Sequence, residues 1–578
     1  MSNRELAKIF FEMAELLEMK EVQFKPRAFE KAAHSIEALD DEVLHIYNKE
    51  GIKGLLQIPG VGRGIAEKIE EYLKSGRVKD YEKLKKEMPV DVSGLAAIEG
   101  VGPKTIKILY KKLKIKNAGD LEKATRAGKL KRLPRFGEKL EEKILKGIEF
   151  QKTSAGRMNI GEALPLARKI VNYLKYVPGV EKIEPAGSLR RRQENVGDLD
   201  FLAISSKPEL VMNKFVSMPE VEHIYARGDT KSMVRLRSGI DADLRVLPHE
   251  SFGAAEQYFT GSKDHNVEVR KIAIKKGYKL NEYGLFKGKK IVAADDEKEI
   301  YKKLGLDWMA PELRLASGEI EAAQKHKLPN LIGYGDLKGD LQTQTSWTDG
   351  ANTIEEMAKE AKRLGHEYIC ITDHTKSLAM TGGSDEKKLS RQAGEIDRLN
   401  KEISGIEILK GAEVNILKDG SLDINDEALA KLDFAGAAIH SHFGLSEAEQ
   451  TERLQKAMRN PHIDIIFHPT GRVPMRREPI KLDFEAVFKE AVHTGTMLEI
   501  NAHPWRLDLS GELVRKAKKY GVRFMINTDA HSTGDLSYLE YGIAQARRGW
   551  AEKKDIMNTL PFKKLLESLK KPKSNRFV

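Results

Sequence analysis

Two aspartates that alternate along a short apolar run, Asp198 and Asp200, are the residues of this chain best suited to chemistry. The run VGDLDFL at 196–202 predicts a β-strand, in which successive side chains point to opposite faces. The two carboxylates are therefore expected to project from one side of the strand. Because neighbouring carboxylates repel each other, a divalent cation is the usual reason for such a pair. The pattern predicts a metal site.

A run of residues suited to phosphate precedes this strand. The sequence GSLRRR at 187–192 offers backbone N–H groups, the Ser188 hydroxyl and the guanidinium groups of Arg190, Arg191 and Arg192. All of these groups can donate hydrogen bonds to phosphate oxygens. Together, the two runs predict a site that holds a metal-bound polyphosphate.

A second acidic pair follows a second strand candidate. Residues 234–237 lead into IDADLRVL at 240–247, where Asp241 and Asp243 again share one face. Three carboxylates on neighbouring strands could bind two Mg²⁺ ions, which activate a 3′-hydroxyl and stabilise a leaving pyrophosphate. Downstream, the aromatic pair Tyr258 and Phe259 stands near Gly261, where rings could stack on a sugar or base.

The length and composition of the chain indicate a protein of several domains. At 578 residues it exceeds one ordinary core, and 40% apolar with 32% charged residues fits a globular protein. No apolar run approaches the roughly 20 residues that span a bilayer, and acidic residues near the N-terminus argue against a secretory signal. The single cysteine, Cys370, fits a reducing compartment, and the net charge of +12 permits binding to nucleic acid.

The N-terminal third is predicted to be helical and carries a repeated Gly-x-Gly turn. Gly60 and Gly62 open one helix, and Gly100 and Gly102 repeat the turn 40 residues later. LPRFGEKL at 133–140 is a weaker copy. Such turns let backbone N–H groups at a helix N-terminus approach a phosphate. A single copy would be explained equally well as a plain helical turn. Two close copies are typical of helix-hairpin-helix motifs, which bind a DNA backbone.

Charge supports the DNA-binding interpretation. Residues 101–150 contain 15 Lys and Arg against 6 Asp and Glu, whereas residues 1–50 contain 7 against 11. The basic charge is therefore concentrated around and beyond the second turn. The alternative is an ordinary solvated, lysine-rich face.

Beyond Tyr334 the pattern changes to helices that alternate with short apolar runs. Six runs of strand character recur about every 30–40 residues, which predicts an α/β barrel. Residues that suit a metal follow these runs, where such barrels place their active sites. They are Asp373, His374, Glu413, His440, His442, His468, Asp529 and His531. One histidine in such a place is usually a cap or a core residue, but five clusters at successive strand ends predict metal binding.

Residues 1–320 resemble the family X DNA polymerases, of which DNA polymerase beta is the best-known member. The resemblance rests on motifs in the family's order: the hairpin with Lys68, then GSLRRR, GDLD, DLR, YFTGS with Asn266 and Arg270, and NEYG. It implies that dNTPs are added to a primer 3′ end in gapped or primer–template DNA.

The same resemblance implies roles for the residues of the predicted metal site. Asp198, Asp200 and Asp243 would bind two Mg²⁺ ions, for which Mn²⁺ can substitute, and Asp243 would deprotonate the primer 3′-hydroxyl. Ser188 and Arg191 would contact the triphosphate, whereas Asn266 and Arg270 would contact the nascent base pair and the template. The implied nucleotide-binding set is Gly187, Ser188, Arg191, Gly197, Tyr258, Phe259, Gly261 and Asn266.

Lys68 is by itself an ordinary surface lysine at the rim of an apolar helix stripe. The resemblance matches it to the Schiff-base lysine of a deoxyribose-phosphate lyase, and Lys25 to a phosphate-binding lysine beside it. Such a nucleophile must be partly deprotonated by desolvation or by cationic neighbours. Phe24 and Phe29 replace a usual His and Tyr of the lyase pocket, and Lys263 replaces an Asp near the incoming base. Lyase activity is therefore a hypothesis.

Residues 335–570 resemble the PHP (polymerase and histidinol phosphatase) domain, a distorted (β/α)7 barrel. The resemblance implies up to three Mn²⁺ or Zn²⁺ ions for 3′→5′ exonuclease, abasic-site endonuclease or 3′-phosphatase activity. Gln342 and Gln344 replace two usual histidine ligands, and an amide oxygen is a weaker ligand. We expect the first ion site to be lost or weak, with a structural role and residual catalysis equally favoured. The remaining ligands would be Asp349, His374, Glu413, His440, His468, Asp529 and His531.

These patterns predict six regions in chain order: a helical lyase-like domain, a helical fingers-like domain, an α/β nucleotidyltransferase palm, a thumb, a linker and the barrel. Their expected bounds are 1–85, 86–152, 153–248, 249–318, 319–334 and 335–570. A helical connector is expected at 315–330, where it overlaps the linker, and the basic tail after 570 would be disordered. We expect a prokaryotic, cytoplasmic monomer that associates with the nucleoid. A repair nuclease that uses the barrel metals and a template-independent nucleotidyltransferase are the alternatives.

Overall fold

The computed structural model describes residues 3–37, 39, 42–96, 98, 101–133, 136–137, 140–142, 144–145, 147–148, 156–378 and 381–577. The N-terminal third is helical, as predicted, with helices Asn3–Met19, Lys25–Glu37, Val43–Glu50, Ile52–Leu55, Arg63–Ser75, Lys79–Glu87, Val92–Ala96, Pro103–Leu113 and Ala118–Arg126. Leu6, Phe10 and Met13 recur at helical spacing and are buried in an apolar cluster that continues to Ile148. Among the described residues, no helix combines the length and apolar content that a bilayer crossing requires.

The palm is built around a mixed sheet. Along 156–248, which is described throughout, its strands are β1 (Met158–Asn159), β2 (Val180–Pro185), β3 (Asn195–Val196), β4 (Asp198–Ser205), β5 (Val221–Arg227), β6 (Lys231–Leu236) and β7 (Asp241–Leu247). The main sheet has the order β2-β4-β7-β6-β5, and β1 pairs with β3. Ala242 and Leu244 are buried, so the alternate residues of β7 lie on the more open face. The accompanying helices are Ile160–Leu174, Gly187–Arg190 and Pro208–Val216.

The thumb carries three helices and a small antiparallel sheet. The helices are Phe252–Thr260, Lys263–Lys275 and Glu297–Lys303, and the strands are β8 (Lys279–Asn281), β9 (Gly284–Lys287) and β10 (Lys290–Ala293). The connector predicted at 315–330 is helical only at Glu319–Gln324. Ile320 and Ala323 of this helix are buried in the apolar cluster of the thumb. The stretch therefore contributes to thumb packing, because its apolar residues find partners there.

The predicted barrel is confirmed. Across 334–577, apart from Ala379 and Met380, its parallel strands are β11 (Gly339–Thr343), β12 (Tyr368–Ile371), β13 (Glu407–Asn415), β14 (Phe434–Ala438), β15 (Ile465–Ile466), β16 (Met497–Asn501) and β17 (Phe524–Asn527). A bridge between Thr343 and Ala530 brings the first strand to the end of the last, so the barrel is nearly closed. Surrounding helices are Ile354–Arg363, Glu386–Glu402, Asp426–Leu429, Glu447–Arg459, Phe484–Thr494, Gly511–Tyr520, Leu539–Arg548 and Phe562–Leu569.

The basic tail is docked on the barrel through Phe577, so the expectation of disorder was wrong. Lys573 Nζ donates hydrogen bonds to the Met458 and Asn460 carbonyls, at 2.7 and 3.0 Å, where a helix ends. Arg576 Nη1 lies 2.7 Å from Asp464 Oδ1. Lys573 and Arg576 of the tail thus bind carbonyl and carboxylate groups of the barrel. The run of basic residues in the sequence does not indicate these contacts.

Palm and barrel share one apolar cluster. Leu507 and Tyr541 of the barrel are buried in the same cluster as Ile160 and Leu199 of the palm. Polar contacts across this interface are the hydrogen bond from Asn159 Nδ2 to the Pro504 carbonyl (2.9 Å) and the ion pairs Arg472–Glu194 (2.7 Å) and Arg168–Glu540 (2.7 Å). The two domains are therefore joined by a common core.

Candidate active sites of the palm and the barrel

The register of the palm sheet brings the predicted carboxylates together. β4 and β7 run parallel, with Asp198 opposite Asp241 and Asp200 opposite Asp243. Because residues paired in this way share a face of the sheet, the four side chains lie on the same side. The acidic groups that the sequence predicted to share a metal are therefore neighbours.

The two candidates for the third metal ligand have different partners. Arg235 Nε lies 2.9 Å from Asp241 Oδ1, whereas Lys231 Nζ lies 3.9 Å from Asp243 Oδ2. Asp241 is thus neutralised by a close guanidinium group. Asp243, which is paired with Asp200, has the more distant Lys231 as its partner, and this favours Asp243 as the third ligand.

The palm carboxylates repel one another. Burial, together with the charges of Asp198 and Asp243, raises the pKa of Asp200 to about 7. Burial also raises the pKa of Asp243, although Lys231 and Arg245 oppose this shift. A divalent cation would relieve both the repulsion and part of the desolvation. The oxygen donors of these three residues fit Mg²⁺ or Mn²⁺.

Gly187 allows the phosphate run to approach the aspartates. Its φ is +59°, and a Cβ here would collide with a carboxylate oxygen of Asp200. The Ala186 N–H donates to the Asp200 carbonyl at 2.8 Å, which fixes the start of helix Gly187–Arg190 against β4. Gly197 differs, because a Cβ there would make only an ordinary contact with Arg157.

One open cavity of about 350 Å³ connects the phosphate run, the aspartates and the thumb. Within the described residues, the buried Ser188 hydroxyl has no hydrogen-bond partner, and such a group is suited to a ligand. The lining residues are Gly187, Ser188, Arg191, Asp198, Asp200, Tyr258, Phe259, Gly261, Lys263, Asn266 and Arg270. The predicted nucleotide-binding residues other than Gly197 therefore line one cavity.

The thumb side of this cavity is held by side-chain amides. Asn266 Nδ2 donates to the Tyr258 carbonyl at 2.6 Å, and Asn266 Oδ1 accepts from Gln257 Nε2 at 2.8 Å. Arg270 Nε donates to the Asn266 carbonyl at 3.2 Å. Tyr258 and Phe259 meet edge to face, with centroids 5.1 Å apart. These contacts position two aromatic rings and a guanidinium group at the cavity wall.

The three consecutive arginines have different partners. Arg191 lines the cavity, whereas Arg190 Nη1 lies 3.0 Å from Glu297 Oε1 and Arg192 Nη1 lies 3.7 Å from Glu540 Oε2. Only Arg191 of the three therefore faces the place predicted for the polyphosphate. Gly261, with φ of +69°, brings its backbone close to Arg191, where a Cβ would lie 3.0 Å from Arg191 Nη1.

Glu297 is a structural residue that the sequence did not indicate. It accepts hydrogen bonds from Arg190 and from the fully buried Arg314, and also from Trp308 Nε1 at 2.8 Å. Burial opposes ionisation, but Arg314 and Arg190 hold the pKa of Glu297 well below its usual range. This network fastens the palm helix Gly187–Arg190, which Arg191 directly follows, to the thumb.

The predicted hairpin turns begin helices in the N-terminal third. Gly62 and Gly102 precede helices Arg63–Ser75 and Pro103–Leu113, and neither N-cap has a side-chain hydrogen bond. The first N–H groups of each helix are therefore placed as phosphate donors. Gly60 has φ of +73°, and a Cβ there would collide with Lys31. Gly100 lies outside the described residues, as do four positions of the weaker copy at 133–140.

Lys68 is paired rather than free. Its amine forms an ion pair with Asp80, and this bond, with the charge of Lys25 as a smaller contribution, lowers the pKa of Asp80. Phe29 is buried against Phe10, whereas Phe24 is 85% exposed. In this arrangement the amine is engaged with a carboxylate and is not presented as a nucleophile.

Glu413 is the centre of the barrel site. Its buried carboxylate lies 3.4 Å from His374 Nδ1, 3.0 Å from His440 Nε2 and 2.8 Å from His468 Nε2. His440 Nδ1 is 2.7 Å from Asn415 Oδ1, an outer contact typical of metal-binding histidines. Burial lowers the pKa of His440 to about 4, so its imidazole is neutral near pH 7 and able to bind a metal.

Two overlapping groups in the barrel have the geometry for a metal. One consists of Asp349, His374 and His531, the other of His374, Glu413 and His440, and within each group the ligand atoms lie within 4.8 Å of one another. The buried His468 Nδ1 has no hydrogen-bond partner among the described residues, and His374 Nδ1 and His440 Nε2 approach Glu413 without the geometry of a hydrogen bond. Imidazole nitrogens combined with carboxylates fit Mn²⁺ or Zn²⁺. The structure therefore fits ions at these two places.

The corner around Asp529 does not fit a metal in this way. Gln344 Nε2 donates to Glu413 Oε2 at 2.7 Å and lies 3.3 Å from Asp529 Oδ1. Gln342 Oε1 accepts from Asn501 Nδ2 at 3.2 Å. Arg506 Nε, which the sequence did not indicate, lies 3.0 Å from Asp529 Oδ2. Donor groups thus already surround the carboxylate that a first ion would bind.

Two residues of the predicted clusters take other places. Asp373 is buried and accepts hydrogen bonds from Thr345 and Gln392. His442 is exposed, and its carbonyl accepts from Gln450 Nε2 at 2.8 Å. Neither belongs to the two ligand groups of the described residues.

Comparison with known families gives matches along the chain. Residues 1–78 match the helix-hairpin-helix domain and residues 92–149 the SAM-like helix-hairpin-helix tandem. Residues 255–315 match the DNA polymerase beta thumb, and residues 340–503 match the PHP domain.

Relatives of two kinds are found. The DNA polymerase/3′-5′ exonuclease PolX of Bacillus subtilis (strain 168) is 37% identical over 576 residues, which cover 99% of this chain and 100% of that protein. A probable phosphatase of Thermoanaerobacter sp. (strain X514) is 32% identical over 245 residues, or 40% of this chain and 95% of that protein. A probable phosphatase of Caldanaerobacter subterraneus is 34% identical over 215 residues, or 35% of this chain and 80% of that protein.

Proposed function

Because the chain belongs to the family X DNA polymerases that carry a PHP domain, we propose that it is a DNA-directed DNA polymerase that fills short gaps. The observation that carries the proposal is the cavity in which Asp198 and Asp200 meet the phosphate run and the thumb. Asp243 stands beside Asp200 in the sheet and supplies the third carboxylate. The name of the Bacillus relative supports the same activity.

The cavity residues divide the work of nucleotidyl transfer. Asp198, Asp200 and Asp243 would hold two Mg²⁺ ions, which neutralise the triphosphate and acidify the primer 3′-hydroxyl. Ser188 and Arg191 bind the triphosphate of a dNTP, while Tyr258 and Phe259 contact its sugar. Asp243 accepts the proton of the 3′-hydroxyl. The 3′-oxygen then forms a bond to the α-phosphorus, and pyrophosphate leaves towards Arg191.

The N-terminal helices hold the DNA in this proposal. The turns before Arg63–Ser75 and Pro103–Leu113 place backbone donors at helix N-termini, where they bind phosphates without reading sequence. Arg270 and Asn266 contact the template and the nascent base pair from the thumb. The partners are gapped DNA and dNTPs, and the protein acts as a cytoplasmic, nucleoid-associated monomer.

Primer extension on gapped DNA tests the polymerase proposal. We expect the full chain to add one dNTP to a labelled primer in a one-nucleotide gap, with Mg²⁺ required, and Asp198→Ala to abolish the addition. Omitting the template strand distinguishes this activity from a template-independent transferase. Equal extension with and without a template would contradict the proposal.

We further propose that Lys68 acts as a deoxyribose-phosphate lyase nucleophile once its ion pair with Asp80 opens. The support is its match to the lyase lysine and the nearby positive charge of Lys25. Borohydride trapping of a 5′-deoxyribose phosphate end is expected for the wild type and for Asp80→Asn, and not for Lys68→Ala. Equal trapping by wild type and Lys68→Ala would show that another amine reacts.

A second candidate function is weak cleavage of phosphate esters at DNA 3′ ends by the barrel. The supporting observation is that His374, Glu413, His440 and their neighbours converge with the geometry of a metal site. Ions there would activate water, and Asp349, His531 and His468 complete the surroundings. The amides of Gln342 and Gln344 weaken the first ion site, beside Asp529, so we expect slow turnover.

Mn²⁺-dependent 3′→5′ degradation of single-stranded DNA tests the barrel. We expect slow degradation that His440→Ala removes. Degradation that is insensitive to His440→Ala would place the activity elsewhere, and undetectable degradation by the wild type would leave the barrel a structural role.

A further inference from the structure

Arg506 occupies an unusual position for a basic residue. Its Nε lies 3.0 Å from Asp529 Oδ2, one of the predicted metal ligands at the strand ends of the barrel. The Arg506 side chain is 27% exposed. Asp529 follows β17 and is 4% exposed, so its charge is largely removed from water. A buried, ionised carboxylate is costly unless it is paired with a cation or bound to a metal. Arg506 provides such a partner.

Side-chain amides complete this corner, because Gln344 and Asn501 supply donors and Gln342 Oε1 accepts from Asn501. Gln344 Nε2 donates to Glu413 and lies within hydrogen-bond distance of Asp529, and Asn501 Nδ2 lies 3.2 Å from Asp529 Oδ2. N–H groups directed at the same oxygens as a metal would exclude that metal by occupying its place. Glu413 also accepts from Gln344, but it differs from Asp529 in that three histidine side chains lie around it. Arg506 is the cation that contributes most to lowering the pKa of Asp529, with smaller contributions from His531 and His468.

The palm fixes the loop that carries Arg506. Leu507 is fully buried in the palm cluster, and the Pro504 carbonyl accepts from Asn159 Nδ2 at 2.9 Å. Asp508 Oδ1 accepts from the Thr470 hydroxyl at 2.9 Å. Residues on both sides of Arg506 are thus anchored, two of them by the other catalytic domain.

We propose that Arg506 is the resident cation of the Asp529 corner, so that the barrel binds two ions and a guanidinium group takes the place of a third. The proposal rests on the metal binding proposed for the barrel and adds a positioning role for the palm. It assigns to Arg506 the neutralisation of Asp529, which a metal would provide if Gln342 and Gln344 were histidines.

Metal counting on the full chain tests this assignment. Every sample carries Asp198→Asn and Asp243→Asn, so that the palm contributes no ion, and metal-stripped protein is titrated with Mn²⁺ by equilibrium dialysis. We expect two ions per chain. The double variant Gln342→His with Gln344→His should still bind two ions. Adding Arg506→Gln to it should create a third site, which binds Mn²⁺ at least tenfold more tightly than any third ion on the double variant. Three ions on the parent chain, or a third site equally tight with and without Arg506, would overturn the proposal.

Melting of the metal-free chain gives a second measurement that needs no activity. Arg506→Gln is expected to lower the melting temperature by about 3 °C or more, because Asp529 is left as an unpaired buried charge. Arg459→Gln is the matched control, since Arg459 pairs with Glu490 at the surface and should change little. Equal shifts in the two variants would overturn the assignment. Failure of gap filling would contradict the polymerase proposal but leave these metal and melting results unaffected.

Discussion

The palm and the barrel each gather several carboxylates, but they balance the charge differently. In the palm, Asp198 and Asp200 of β4 line an open cavity beside the paired aspartates of β7, and the pKa of Asp200 rises to about 7 through burial and repulsion. In the barrel, burial likewise opposes ionisation, yet His374 and His440 hold the pKa of Glu413 well below its usual range. Arg506 lowers the pKa of Asp529 in the same manner.

The difference shows which site depends on an external cation. The palm carboxylates repel one another despite the nearby cationic side chains, and a divalent ion would relieve this repulsion, which suits a site that assembles with each incoming metal-bound nucleotide. The barrel carries much of its counter-charge on its own side chains. In the palm, the electrostatic stabilisation that a bound metal provides is therefore large. In the barrel, the carboxylates are less destabilised when a metal is absent.

Exchange of the third palm carboxylate is expected to have the largest effect. Asp243→Asn should slow single-nucleotide addition about 10³-fold or more, because a metal ligand and the proton acceptor are lost together. Asp241→Asn should stay within about threefold of wild type, since Arg235 already neutralises Asp241. Single-turnover rates on gapped DNA measure both. Similar losses of rate in the two variants would contradict the assignment of Asp243, rather than Asp241, as the third metal ligand.

Restoring histidines in the barrel tests whether the Asp529 corner limits metal-dependent cleavage there. Gln342→His and Gln344→His combined with Arg506→Gln should raise Mn²⁺-dependent cleavage of 3′ ends about 10- to 100-fold, as a first ion site is rebuilt. Adding His440→Ala to this variant should remove the gain. No increase would show that the Asp529 corner does not limit the barrel.

The palm should respond to pH through its need for a cation. Because Mg²⁺ must displace a proton from Asp200 below about pH 7, the Mg²⁺ concentration for half-maximal synthesis should rise about tenfold from pH 8 to pH 6. The direction follows from the raised pKa: lower pH protonates the ligand and weakens metal binding. Initial rates over a Mg²⁺ series at each pH provide the measurement. A half-saturating concentration that stays constant would contradict the predicted competition.

The smallest effect is expected for a barrel change assayed in the palm. His440→Ala should leave gap filling within about twofold of wild type, because His440 does not line the nucleotide cavity. A more than fivefold loss of synthesis, with an unchanged melting temperature, would show that the two sites are coupled.

Much of the palm site could be predicted because its signals are local. The two-residue period of GDLD and DLR fixes which face each aspartate takes, and the sheet register then brings the faces together. The convergence of the barrel side chains was predictable for a similar reason, since strand ends of an α/β barrel meet at one rim. Helical content in the N-terminal third followed from apolar spacing.

The remaining contacts join residues that are far apart in sequence. Glu297 pairs with Arg190 across 107 positions, and Arg576 reaches Asp464 from a tail predicted to be disordered. Arg506 follows a strand by a few residues but carries no ligand signature. Each of these pairs satisfies a buried charge, and the partner is decided by packing between elements rather than by any repeat in the chain.

The burial of Leu507 in the palm bears on why the barrel is retained. Removing the barrel would expose the palm cluster that Leu507 and Tyr541 cover, at a cost of about 1.5–3 kcal/mol for each such side chain. The domains are thus unsuited to exchange as independent modules, and we expect them to unfold as one cooperative unit. Loss of the barrel is therefore expected to destabilise the palm and to reduce DNA synthesis, whether or not the barrel binds metals.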